Sequence, residues 1–191
     1  MSYGNYNTKK QTSVFDIVLV ALFAAITFIG IQLFRIPLPA AVGSPFIHFG
    51  NSFVVLSALL LGGKRGIIAG AIGLTLFDLI NGYASYAPTT CIMALIVALI
   101  VNLVFNRFKR QPKLSYVFIT AICAGVIKII LEFIDGLVRM MLTGSDFSAA
   151  AIGAFTSLPA TAINAVSTVI IVTILFIPLR KGLDAIEQGR R

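Results

Sequence analysis

"KIILEFIDGLVRMM", residues 128–141, decides how the chain is read, because apolar side chains surround four charges: Lys128, Glu132, Asp135 and Arg139. These recur at steps of four, three and four, and at about 3.6 residues per turn they fall on one stripe of a helix. The spacing lets Lys128 pair with Glu132 and Asp135 with Arg139. A charge inside a bilayer is costly unless paired or hydrated, so the stripe must face a bundle interior, a water-filled cavity or another subunit. Two readings are open. The stripe is a salt-bridge ladder that fixes one helix against its neighbours, or it is part of a polar cavity wall.

Composition puts that helix in a membrane. Of 191 residues, 58% are hydrophobic and 12% charged, and the mean hydropathy of +0.98 is far from that of a soluble domain. The first apolar run begins near Val14 and continues for about 20 residues, a span rather than the short core of a signal peptide. Breaks at polar and turn residues give six apolar segments, 14–34, 49–62, 66–81, 88–106, 115–142 and 149–179. The expectation is an all-α integral membrane protein: residues 1–191 as a single domain, one compact bundle of six transmembrane helices. The second and third segments are short for a hydrocarbon core of about 30 Å.

The net charge of +8 is placed by topology rather than by a nucleic-acid partner. "TKK" (8–10), "GGKRG" (62–66), "NRFKRQPK" (106–113) and "RKGLDAIEQGRR" (180–191) are basic and are alternate connections. The remaining loops, "RIPLPAAVGSPFIHFG" (35–50), "NGYASYAP" (81–88) and "TGSDFS" (143–148), carry one Arg, one His and one Asp. The positive-inside rule then predicts both termini on the cytoplasmic side and those three loops outside. Cytoplasmic lysines and arginines also attract anionic lipids.

With that orientation the outer half of the charged stripe, Glu132 to Arg139, lies nearest the outer surface. His48 and Asn51 open the second segment at the same depth, and Asp78 and Asn81 close the third, followed by Tyr83, Tyr86, Thr89 and Thr90. Aromatic rings with a few directional polar groups suit a small, flat, polar ligand. Tyrosines also belong to interfacial belts, and Asp78 or Asn81 could cap a helix end. In the last segment Ser157, Thr161, Asn164 and Thr168 repeat the stripe geometry, as ligand contacts or as polar stitching between helices. On the first segment Ala21, Ala24 and Ala25 leave a face smooth enough for close helix approach.

No metal framework is expected: His48 is the single histidine, and Cys91 and Cys123 sit in apolar segments as small core residues. Zinc-protease, nucleophile-elbow and Walker A patterns do not occur. A self-sufficient pump would usually need more helices and an inverted repeat.

The block "FIHFGNSFVVLSALLLGGKRGIIAGAIGLTLFDLINGYASYAPTT", residues 46–90, and the closing "LPATAINAVSTVIIVTILFIPLRKGL", residues 158–183, resemble the substrate-binding S components of energy-coupling factor (ECF) vitamin transporters. They are similar to the subfamily holding riboflavin, hydroxymethylpyrimidine and pyridoxine S components, and the likeness covers nearly the whole chain. It implies a multi-pass protein of the bacterial cytoplasmic membrane that binds a vitamin and has no enzymatic activity or cofactor of its own. ATP and magnesium would be used by two partner ATPase subunits, and a transmembrane T component would dock on the small face of the first helix, matched by Ala21 and Ala25 with Ala24 beside them. A vitamin site at the external side would draw on His48, Asn51, Asp78, Asn81, Tyr83, Tyr86, Glu132, Asp135, Arg139 and Asn164. The S component would capture its cargo under a closing external loop, dock, topple in the bilayer and release inside.

Acid, amide and hydroxyl groups favour a small heteroaromatic with hydroxymethyl arms, so pyridoxine or another B6 form is expected, then hydroxymethylpyrimidine, then pantothenate or riboflavin. Other classes remain open at this point: a small membrane enzyme using Glu132 and Asp135 as acid and base, or a channel or structural subunit using the stripe for assembly.

Overall fold

The computed structural model describes residues 13–40 and 45–189. The basic residues Lys9, Lys10, Arg190 and Arg191, expected on the cytoplasmic side, lie outside the described residues. The described part is helical: α1 (Val14–Gln32), α2 (Gly50–Leu60), α3 (Gly63–Ile80), α4 (Ala87–Arg107), α5 (Leu114–Leu142), α6 (Phe147–Phe155) and α7 (Leu158–Gln188). Two short strands, β1 (Ile36–Pro37) and β2 (Phe46–Ile47), pair antiparallel between α1 and α2. Among the described residues α1, α4, α5 and α7 are long and apolar enough to cross a membrane.

Helix α2 explains why the second apolar segment is short. Its 11 residues reach about 16 Å at 1.5 Å per residue, and nine of them are buried, enclosed by α1, α3, α4 and α7. A helix surrounded by protein has no lipid thickness to match. Its polar groups are answered within the bundle: Ser57 Oγ donates to the carbonyls of Val54 or Gly66, each at 2.8 Å, and Ser52 Oγ meets Thr168 Oγ1 at 3.4 Å. The α2–α3 turn uses Gly62 at φ +62°, and Gly66 must be glycine because a Cβ there would stand 2.3 Å from the Ser57 carbonyl oxygen.

Helix α5 separates its two environments cleanly. Val126, Ile130, Ile134 and Val138 form an exposed apolar stripe, while the charged stripe looks toward α4 and α7. The helix ends in a Schellman motif: Gly144, at φ +96°, and Ser145 donate to the carbonyls of Met141 and Met140 at 3.0 and 3.1 Å.

The sixth apolar segment, expected as one span over 149–179, is two helices. Asp146 caps α6 by accepting from Ala149 N–H at 3.0 Å, and the chain breaks at Thr156 and Ser157 because Pro159 has no N–H to donate to the Phe155 carbonyl in a continuous helix and sits instead in the first turn of α7.

The two ends of the bundle differ. One carries the strands, the 81–86 loop and the 143–146 turn. The other gathers the α2–α3 and α4–α5 turns, where Arg110 donates to Asn102 Oδ1 at 3.1 Å and to the carbonyls of Ala58 and Leu59, and Asn102 Oδ1 also accepts from Gly63 N–H at 3.0 Å. An Arg65–Asp16 ion pair joins the starts of α3 and α1 there. Ala24, expected with Ala21 and Ala25 on a docking face, is buried in the core at 5% exposure, so only Ala21 and Ala25 look outward.

Candidate functional site

At the strand end, α2, α3, α4, α5 and α7 converge on a cavity of about 150 Å³. Its lining includes His48, Asn51, Asp78, Tyr83, Tyr86, Glu132, Asp135, Arg139 and Asn164, so the structure brings nine of the ten expected residues to one cavity. Asn81 is not among them. It closes α3, with Nδ2 donating to the Phe77 carbonyl at 3.0 Å, the helix-end role that its position also allowed.

The charged stripe is paired as its spacing predicts. Lys128 Nζ meets Glu132 Oε2 at 2.6 Å, and Arg139 Nε meets Asp135 Oδ2 at 2.7 Å. Both cations are held further: Lys128 Nζ lies 3.7 Å from Met93 Sδ, while Arg139 bonds the Thr89 hydroxyl and lays its guanidinium 4.1 Å from the Tyr86 ring centroid.

One wall is aromatic. Phe77 and Tyr83 stack at 6.1 Å with 18° between their planes, and Phe46 stands 5.8 Å from each. The Arg35 guanidinium covers all three rings at 5.7 to 6.0 Å. Sequence reasoning passed over Arg35, Phe46 and Phe77. Arg35 had a signal, being the single arginine in the charge-poor loops of the strand end; the two phenylalanines are lost among 15. Lys128, Thr90, Ser157 and Thr161, which the sequence singled out without placing them in the expected set, also line the cavity.

Asn164 ties the strand segment to α7. Its Oδ1 accepts from His48 N–H and its Nδ2 donates to the Phe46 carbonyl, both at 2.9 Å. The polar stripe of the last segment is therefore used unequally: Thr168 joins α2 through Ser52, whereas Asn164 fastens the cavity's roof.

His48, in the loop ahead of α2, accepts the Gly50 N–H at 3.1 Å through Nδ1, which only the unprotonated nitrogen can do. Burial, then the Lys128 ammonium, lowers its pKa to about 3, with Glu132 opposing. The folded pKa lies below the unfolded value, so the unfolded chain binds more protons and stability falls as pH drops from about 6.5 towards 3. Between pH 7 and pH 5 the loss from this group is expected to be about 2 kcal/mol. Thermal melts should show a falling Tm over that range, and His48→Asn, which keeps an acceptor without titrating, should flatten it. An unchanged slope in that variant would remove His48 as the cause.

Among the described residues no three His, Cys, Asp or Glu side chains assemble as a metal site. What the cavity offers is stacking surface, carboxylates, amides and hydroxyls, the means to hold a small polar molecule.

Comparison with known proteins decides the family. The model of the ECF-type riboflavin transporter S component family matches residues 11–181. The chain belongs to that family. As an S component it is an integral membrane protein and the substrate-binding subunit of a transporter, not an enzyme. Proteins of this kind work with ECF T and ATPase modules. The fold of this S component is similar to the solved structure of ThiT from Listeria monocytogenes, with a TM-score of 0.61 over 90% of this chain and 98% of that one, at 17% identity. An uncharacterized protein of Pyrococcus woesei is 40% identical over 62 residues, which span 32% of this chain and 40% of that protein's length.

Proposed function

We propose that this S component binds a single-ring vitamin, a B6 form such as pyridoxine, with hydroxymethylpyrimidine as the second reading. The observation that carries this is the cavity: about 150 Å³, the size of an engineered cavity that holds benzene, with a stacking wall and hydrogen-bonding groups for hydroxymethyl arms. That volume favours one ring over the three fused rings of riboflavin. Pantothenate would need a cation for its carboxylate, and the two cations that line the cavity, Lys128 and Arg139, are each already paired.

The strand end is the external face in this reading, since Lys64, Arg65, Lys109, Arg110 and Lys113 gather at the other. Six crossings follow, by α1, α2, α3, α4, α5 and α7, with α6 at the outer surface, both termini inside, and residues 1–191 as one binding domain. Loaded protein docks on a T component and releases its cargo inside at the expense of ATP hydrolysed by two partner ATPases.

Mass spectrometry of small molecules released from purified protein, followed by calorimetry, tests the cargo. Near-equal stoichiometry of a B6 vitamer with nanomolar binding is expected. Release of riboflavin, or turnover of a bound lipid by the isolated protein, would overturn the reading.

Docking has its own test. Ala21 and Ala25 are exposed on α1 and offer the close-approach face. Ala21→Leu with Ala25→Leu should leave vitamin affinity unchanged and lower recovery of the complex with the T component at least tenfold on co-purification. Unaltered recovery would move the docking face elsewhere.

A further inference from the structure

Asp78 is the odd member of the cavity. It lies two residues before the end of α3, it is 7% exposed, and it lines the cavity. The Thr90 hydroxyl bonds its carboxyl group, yet among the described residues Oδ2 is buried with no hydrogen-bond partner. A buried carboxyl oxygen without a donor is costly. The side chain caps no helix, since it is the Asp78 main-chain carbonyl that receives Tyr83 N–H at 2.9 Å. The other two cavity carboxylates, by contrast, each have a cation four residues away.

We infer that Asp78 Oδ2 is the specificity-determining acceptor of the site, awaiting an N–H or O–H donor on a ligand that carries neither carboxylate nor phosphate. The inference rests on the single-ring reading above and narrows its substrate class. The lining holds three carboxylates against two cations, both engaged, and the nearby Arg35 guanidinium lies over the Phe46, Phe77 and Tyr83 rings, so an anionic group entering beside Asp78 would meet net repulsion. A ligand lacking the donor would leave the oxygen as it stands, unpaired in a closed site, and would be rejected.

Asp78→Leu separates this role from a structural one. Removing an unanswered polar atom should leave the melting temperature of ligand-free protein equal to or above that of wild type, while pyridoxine affinity falls about 100-fold or more. Asp78→Asn, which keeps an acceptor of the same shape, should lose only about tenfold. Wild type should prefer pyridoxine to its 5′-phosphate ester by at least about 1000-fold. A ligand-free Asp78→Leu protein melting more than about 5 °C below wild type would make the residue structural. Affinity within threefold of wild type, or equal binding of the phosphate ester, would overturn the inference outright. Should wild-type protein bind neither pyridoxine nor hydroxymethylpyrimidine, the single-ring reading fails. The Asp78 assignment then stands if Asp78→Leu melts within about 5 °C of wild type or above it, and falls if it melts lower than that.

Discussion

Lys128→Met, made alone, is expected to cost about 2–3 kcal/mol of stability by leaving Glu132 without its counter-ion. A fully buried pair broken from one side loses about 3–5 kcal/mol; this one borders a cavity, with side-chain exposures of 18% and 30%, and water softens the penalty. The double variant Lys128→Met/Glu132→Leu should recover most of the loss, because an apolar replacement of both partners leaves no orphan charge. Its ligand affinity then decides between the two readings of the charged stripe. The expected result is a fold close to wild type with vitamin binding weakened at least about 100-fold, since the pair lines the cavity. Wild-type affinity in a well-folded double variant would reduce the pair to a ladder.

Asn164→Leu should have the second large effect, and through different physics. It strips two half-buried backbone groups, His48 N–H and the Phe46 carbonyl, of their partners, at about 1 kcal/mol or somewhat more each. The strands would then be fastened chiefly by Phe49 N–H to the Gly30 carbonyl at 3.1 Å. Affinity is expected to fall about 100-fold, mainly through a faster off-rate, and amide exchange at residues 46–49 should rise. Stopped-flow release and hydrogen exchange check both. A slower on-rate with an unchanged off-rate would mean that Asn164 does not hold the roof.

The parts of this protein visible in its sequence are those governed by local periodicity. Four charges in an apolar helix have few solutions, and both ion pairs formed at the predicted spacing. The division of the last segment was also written locally, in Pro159, but the surrounding apolar run concealed it. Ala24 illustrates a finer miss: around a helix it sits about 100° from Ala25, whereas Ala21 lies about 40° away, enough to turn it from the outer face to the core. Helix α2 gave little warning, because a helix buried on all sides needs no polar face and has no periodicity to read. Arg35 over three rings and the unanswered oxygen of Asp78 depend on segments far apart in the chain. Sequence spacing carries no trace of such meetings.

The short reach of the α5 ion pairs also bears on membrane voltage. A lone charge carried across the bilayer exchanges about 2.3 kcal/mol with the field for every 100 mV. Lys128 and Arg139 each sit within 3 Å of an opposite charge on the same rigid helix, so a reorientation of the body moves two compact dipoles and no net charge. The four charges of α5 therefore add no net charge movement, and a cell's resting potential does no net work on them as a group.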